Sequence, residues 1–143
     1  MRRIAANYVF PVSSPPVRNG IVVLDEEGRV TEVKDPGDRF REMAALVFYN
    51  GILIPSFVFP ESGEDPAGML ERLFPAGGRD RQSREEFDGL LHKVTLAEAQ
   101  RLGLEEHLGS LEKGKRPGVL LITPFDFEKW KPAVGAVVKK IVW

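Results

Sequence analysis

Three pairs of adjacent acids, Glu26-Glu27, Glu85-Glu86 and Glu105-Glu106, are the residues whose type best suits general acid–base work. That chemistry needs two carboxylates converging in a cleft with their pKa values driven apart. Their setting points instead to turns and helix starts, where acids are solvated or favoured by the positive end of the helix dipole. Ser13, Ser14 and Ser56 could act as nucleophiles only beside a base. The chain has two histidines, His92 and His107, and no nucleophile-elbow pattern around any serine. Lys113-Gly114-Lys115-Arg116 is a basic cluster that could hold a phosphate. It lacks P-loop spacing and no helix start follows it, so a structural loop is the better reading. Phe125, Phe127, Trp130 and Trp143 are closely spaced aromatics, suited to closing a small core or to facing a partner. With no cysteine there is neither a disulfide nor a thiolate metal site. Two histidines off ligand spacing do not make the three protein ligands that zinc wants. No catalytic, cofactor-binding or metal-binding residue is assigned, and no cofactor is expected.

The elements that would position such groups can be taken in order. Residues 2–10 read as a first strand ending at Pro11. Residues 12–19 hold Ser13-Ser14-Pro15-Pro16 and read as loop. Residues 20–34 read as a hairpin, with Gly28 suited to the left-handed position that closes its turn. Residues 35–41 read as loop, and residues 42–45 as a short helical turn. The run at 46–59, LVFYNGILIPSFVF, is the most apolar of all. It reads as two buried strands broken at Asn50-Gly51. After a break at 61–63 the period changes from 2 to 3.6. Asp65 and Pro66 make a helix start. Met69, Leu70, Leu73 and Phe74 follow as one apolar stripe. Ser83 with Glu86 makes a capping box. Phe87, Leu90, Leu91 and Val94 then line one helical face. Thr95 with Glu98 makes a second box, and Gly103 ends that helix. Residues 109–118 read as loop and 119–123 as a strand buried on both faces. Residues 124–132 read as irregular and 136–143 as a final strand.

Composition sets limits. The chain has 143 residues, 43 % hydrophobic and 29 % charged, an ordinary globular mix long enough for one domain. A net charge of −1 steers it toward neither nucleic acid nor anionic lipid. No run reaches the roughly 18 apolar residues of a membrane span, and MRRIAANYVFPV has no signal-sequence core. A cytoplasmic protein is expected.

Two blocks resemble the amidohydrolase superfamily of metal-dependent deaminases and related hydrolases. YNGILIP followed by Ser56-Phe57-Val58 resembles the strand that leads into that family's catalytic barrel. Leu102-Gly103-Leu104, then Leu108-Gly109-Ser110-Leu111, then Glu112-Lys113-Gly114-Lys115-Arg116-Pro117-Gly118 resembles the LGL…GSLExGKxADLVVLD signature near the family's end. Together the blocks span about two thirds of the chain. The resemblance implies a composite β-sandwich built from the N- and C-terminal strands, 1–60 and 105–143. A helical insert, 61–104, takes the place of the barrel. A (β/α)₈ barrel needs at least about 200 residues, and only residues 60–94 lie between the blocks. The family's metal-binding histidines are absent after Val58, where Phe59-Pro60-Glu61 stands, and Ser56 replaces a glycine. His92 and His107 align with no ligand position.

The expected fold class is therefore α+β, a sandwich with two or three helices in the middle, as a single domain 1–143. Two functions stay open. One is a non-catalytic amidohydrolase-like module acting by association, as a homodimer or with a full-length relative. A decaying remnant with no selected role would look the same. The other is a small hydrolase or ligand-binding protein with an unrelated site.

Overall fold

Seven strands and three helices make up the regular structure among the described residues. The computed structural model describes residues 1–37, 46–59, 65–75 and 80–142. The expected helical turn at 42–45, the break at 61–63 and Trp143 lie outside the described residues. The strands are β1 (Arg2–Val9), β2 (Val17–Arg18), β3 (Ile21–Leu24), β4 (Val30–Lys34), β5 (Leu46–Pro55), β6 (Val119–Asp126) and β7 (Lys131–Val142). They form one mixed sheet in the order β4-β3-β1-β5-β6-β7, with β2 beside the end of β1. β1 and β5 run parallel, and the other pairs are antiparallel.

Period-2 alternation gives the sheet two apolar faces. On one, Ile52, Ile54, Leu120 and Ile122 share a core with Met69 and Leu70 of α1 (Pro66–Leu73) and Phe87 and Leu91 of α2 (Arg84–Val94). On the other, Leu53, Leu121 and Val142 share a core with Ile4, Val22, Leu24 and Val30. A flat sheet could not bring Arg2, at the start of β1, to Ile141, near the end of β7, with β5 and β6 standing between those strands. The strands coil, and the two halves of the sheet face each other as in a sandwich. Arg2 Nη1 donates to the Ile141 carbonyl at 3.1 Å across that closure. The fold class is α+β as expected, and the sandwich is one continuous curled sheet joined through the β1–β5 pair.

The local signals act where they stand. Gly28 has φ 85° and closes the β3–β4 turn, its N–H donating to the Asp25 carbonyl at 3.1 Å. Asp65 Oδ1 accepts the Gly68 N–H at 2.6 Å at the start of α1. Ser83 and Glu86 form the reciprocal capping box of α2, at 3.0 and 3.2 Å. α3 (Leu96–Arg101) ends in a left-handed Gly103, with the Leu104 N–H on the Ala99 carbonyl at 2.7 Å.

Four expectations are corrected. The second capping box does not form. Thr95 also ends α2, and its backbone (φ −124°, ψ −96°) is not the extended one an N-cap needs. Its buried hydroxyl donates back to the Leu91 carbonyl at 2.6 Å, and Glu98 pairs with Arg101. The run at 46–59 is not two strands broken at Asn50-Gly51. β5 continues through both residues, and only its second half is buried, Val47 and Phe48 being exposed. Ala6 pairs with Tyr49 and Tyr8 with Ile52, so Asn7 stands opposite both Asn50 and Gly51 as a bulge. Asn7 Oδ1 accepts the Gly51 N–H at 2.7 Å. Residues 12–19 are not all loop, because Val17 and Arg18 pair with Val9 and Tyr8. Residues 124–132 are not all irregular: β6 runs on to Asp126, and β7 starts at Lys131 instead of 136.

Candidate functional site

Glu26 and Glu27 lie exposed in the β3–β4 turn, where Glu27 pairs with Arg29. Asp25 beside them accepts the backbone N–H of Arg29 and of Glu27 at 2.9 Å each, and that from Arg29 above all holds its carboxyl below the ordinary value. Glu85 and Glu86 lie in the first turn of α2, Glu86 as part of the cap. Glu105 and Glu106 follow α3, and Glu105 Oε2 is buried without a hydrogen bond among the described residues. The three acid pairs stand on three separate elements. His92 is exposed in the last turn of α2, and His107 is exposed beyond α3. Ser13 and Ser14 are exposed in the loop before β2, and Ser56 Oγ donates weakly to the Phe57 carbonyl at 3.5 Å. Among the described residues no three of His, Asp and Glu gather closely enough to hold a metal ion.

The basic cluster is a brace. Lys115 is buried, and its Nζ donates to Ser110 Oγ at 2.8 Å and to Glu112 at 3.1 Å. Ser110 Oγ donates in turn to Glu112 at 2.7 Å. The backbone of the same loop pairs with β4, the Val30 N–H on the Lys115 carbonyl at 2.9 Å and the Gly114 N–H on the Val30 carbonyl at 2.8 Å. A buried serine beside a buried lysine has the composition of a nucleophile–base dyad, but Ser110 is 0 % exposed and no substrate reaches it. The Ser110 hydroxyl first, then Lys115, holds the Glu112 carboxyl below its ordinary 4.5. Ionised Glu112 therefore favours folding. That contribution is complete above pH 4.5 and is lost as pH falls through the lower folded-state value. Ser110→Ala should destabilise the protein near neutral pH, with the deficit shrinking at about pH 3. Urea denaturation of both proteins at the two pH values checks this, and a deficit independent of pH would contradict it.

The aromatics close the helix-side core. Phe125 is buried, with its ring 5.0 Å from Phe87 and 5.0 Å from Phe127. Trp130 meets Tyr8 edge-on at 5.1 Å. Gln82 holds the turn in place, its Nε2 donating to the Trp130 carbonyl at 2.7 Å.

Beside this cluster, between α1, α2 and the start of β7, runs a groove of about 1560 Å³. Leu70, Leu73, Phe74, Leu90 and Val134 give it apolar walls. Asp80 on its rim receives Lys129 at 3.3 Å and Lys131 at 3.6 Å, and the Lys129 hydrogen bond leads in holding its carboxyl low. Asp126 is held low by backbone N–H groups, that of Lys129 first. Both carboxylates are ionised at neutral pH, so neither stores a proton for acid catalysis. The groove suits an apolar body with charged ends. Sequence reading missed it because one wall is tertiary in origin. Thr123 pairs with Val137 and Phe125 with Pro132, so residues 133–136 bulge out opposite Pro124.

No family model and no curated protein matches the chain. Among solved structures, the crystal structure of A. niger ochratoxinase is similar over 50 % of this chain and 21 % of that one, with 17 % identity and a TM-score of 0.31. The matched part spans about a fifth of that protein's length, and a likeness of this size assigns no function. No helix among the described residues is long and apolar enough to cross a membrane.

Proposed function

We propose that this chain is an amidohydrolase-like sandwich without a catalytic barrel, and that it acts by protein association instead of catalysis. One observation carries the reading. The two blocks that resemble the family pair directly, Ile52 with Ile122 and Pro55 with Val119, while α1 and α2, from the segment between them, pack on the sheet. The family's GSLExGK stretch is used here as the Ser110–Glu112–Lys115 brace, a framework role. A sandwich face that a barrel would cover has to be covered otherwise, since large apolar patches are seldom left wet. Met69, Leu70 and Phe87 cover part of it. The partner is a second copy, or a full-length relative of the family, and two-fold pairing is the commonest outcome for identical chains. Light scattering of the purified chain at micromolar concentration should give about twice the 16.0 kDa chain mass. A monomer at every concentration would remove the physical basis of the proposal.

The groove supports a second reading, a ligand-binding protein with a site of its own. Its mixed lining, with Leu73 and Phe74 beside Lys93 and Lys131, fits a small amphipathic molecule. Saturable binding lost in Leu90→Lys would favour that reading.

A further inference from the structure

Among the described residues, the groove between α1, α2 and β7 carries more ammonium donors than acceptors that meet them. Lys93, Lys129 and Lys131 all line it. Lys129 and Lys131 lie 3.3 and 3.6 Å from the same oxygen, Asp80 Oδ1. Lys93 enters no ion pair among the described residues. The acids are better provided for. Asp126 accepts the backbone N–H groups of Glu128 and Lys129, and Glu86 caps α2, while Glu71 stands exposed on α1. The position four residues before Lys93 is where an acid on the same helix would pair with it. That position is Gly89, and a glycine weakens a helix interior relative to alanine. Close packing does not require it, since an added Cβ would meet nothing within 4 Å. Gly89 therefore leaves open space beside the Lys93 stem in the groove wall. Half-buried Leu73, Phe74 and Leu90 and a fully exposed Val134 supply apolar surface in the same groove.

We propose that this groove binds a single-chain amphiphile with a carboxylate head, of the long-chain carboxylic acid class. The head lies over Gly89 against the Lys93 ammonium, and the chain runs along Leu73, Phe74, Leu90 and Val134. This rests on the ligand-binding reading above and names its ligand. Charge complementarity sets the sign of the head. An anion meets the Lys93 ammonium without displacing a partner, whereas a cation has Glu71 to meet and three lysines to avoid. The groove, about 1560 Å³, exceeds the roughly 300–1,000 Å³ of a compact pocket, which suits an extended body. Lys93 is exposed, so its pair with the head adds little affinity and sets selectivity instead. The affinity comes from the apolar chain.

Calorimetric titration with dodecanoate, kept below the concentration at which it forms micelles, should show saturable binding of one molecule per chain. The neutral methyl ester of the same acid should bind about 3- to 5-fold more weakly, and dodecyltrimethylammonium more weakly still. Lys93→Glu should weaken dodecanoate on the order of 10-fold, because repulsion of similar size replaces the attraction, and should leave the ester unchanged. Gly89→Leu should melt no lower than wild type, since leucine favours a helix and its Cβ meets open space, yet it should lose dodecanoate. Lys139→Glu, on β7 outside the groove, should bind dodecanoate as wild type does. The assigned head position is wrong if the ester or the ammonium binds as tightly as dodecanoate, if Lys93→Glu or Gly89→Leu binds it unchanged, or if Lys139→Glu weakens it as much as Lys93→Glu. The groove reading stands in those cases provided that Leu90→Lys abolishes binding. Saturable binding of none of the three probes, or binding that survives Leu90→Lys, overturns both.

Discussion

Phe87→Ala is expected to cost about 3–5 kcal/mol, the range for emptying a large aromatic from a core. Phe87 is 0 % exposed, and its ring lies 5.1 Å from Phe10, 5.5 Å from Phe74 and 5.0 Å from Phe125. Those neighbours come from the end of β1, the end of α1 and β6. The cavity would therefore open where helices and sheet meet, and no single element could relax to fill it. For a chain of this length the loss corresponds to a fall in melting temperature on the order of 10 °C. The same experiment tests whether the helices belong to the sheet's cooperative unit. Calorimetry of both proteins should show a single transition that moves as a whole. A second transition, split off near residue 62 and alone sensitive to the substitution, would mean that the helical insert unfolds by itself.

Gly51→Ala should cost about 3 kcal/mol or more, far beyond a usual glycine substitution, because two penalties coincide. Gly51 has φ 127°, which an alanine resists, and an added Cβ would stand 2.3 Å from the Ile122 carbonyl oxygen. That atom is backbone of β6, so β5 and β6 must part for the methyl group to fit. Ile52, Leu53 and Ile54 pair with Ile122, Leu121 and Leu120 immediately beyond, and both apolar cores would feel the shift. Gly135→Ala is the control. Gly135 also has positive φ, 79°, but a Cβ there meets nothing within 4 Å. It should cost only the left-handed term, about 1–2 kcal/mol. Equal losses in the two variants, read by urea denaturation, would show that the close approach of β6 to Gly51 does not matter.

Local chemistry was legible in the sequence by itself. The Gly28 turn, the Asp65-Pro66 start, the Ser83–Glu86 box and the Gly103 stop each involve partners no more than a few residues apart. Their physics is complete within one stretch of chain, so the sequence determined them. The α+β class and the burial of Ile52 to Ile54 and of Val119 to Ile122 also followed from pattern. What only the tertiary structure decided depends on residues distant in sequence. Asn50-Gly51 looks like a break between two strands, yet Asn7 captures the Gly51 N–H and β1 runs parallel alongside, so β5 continues through it. Thr95 looks like a cap, yet burial at the α2–α3 junction turns its hydroxyl back to Leu91. The apolar run at 46–50 looks buried, yet β6 leaves β5 before reaching it. The groove exists because residues 133–136 bulge toward α1 and α2. Periodicity tells which way a side chain points from its own strand or helix. It carries no information about which element stands opposite, and whether a given apolar side chain ends in a core, a groove or at the surface is set by that second element.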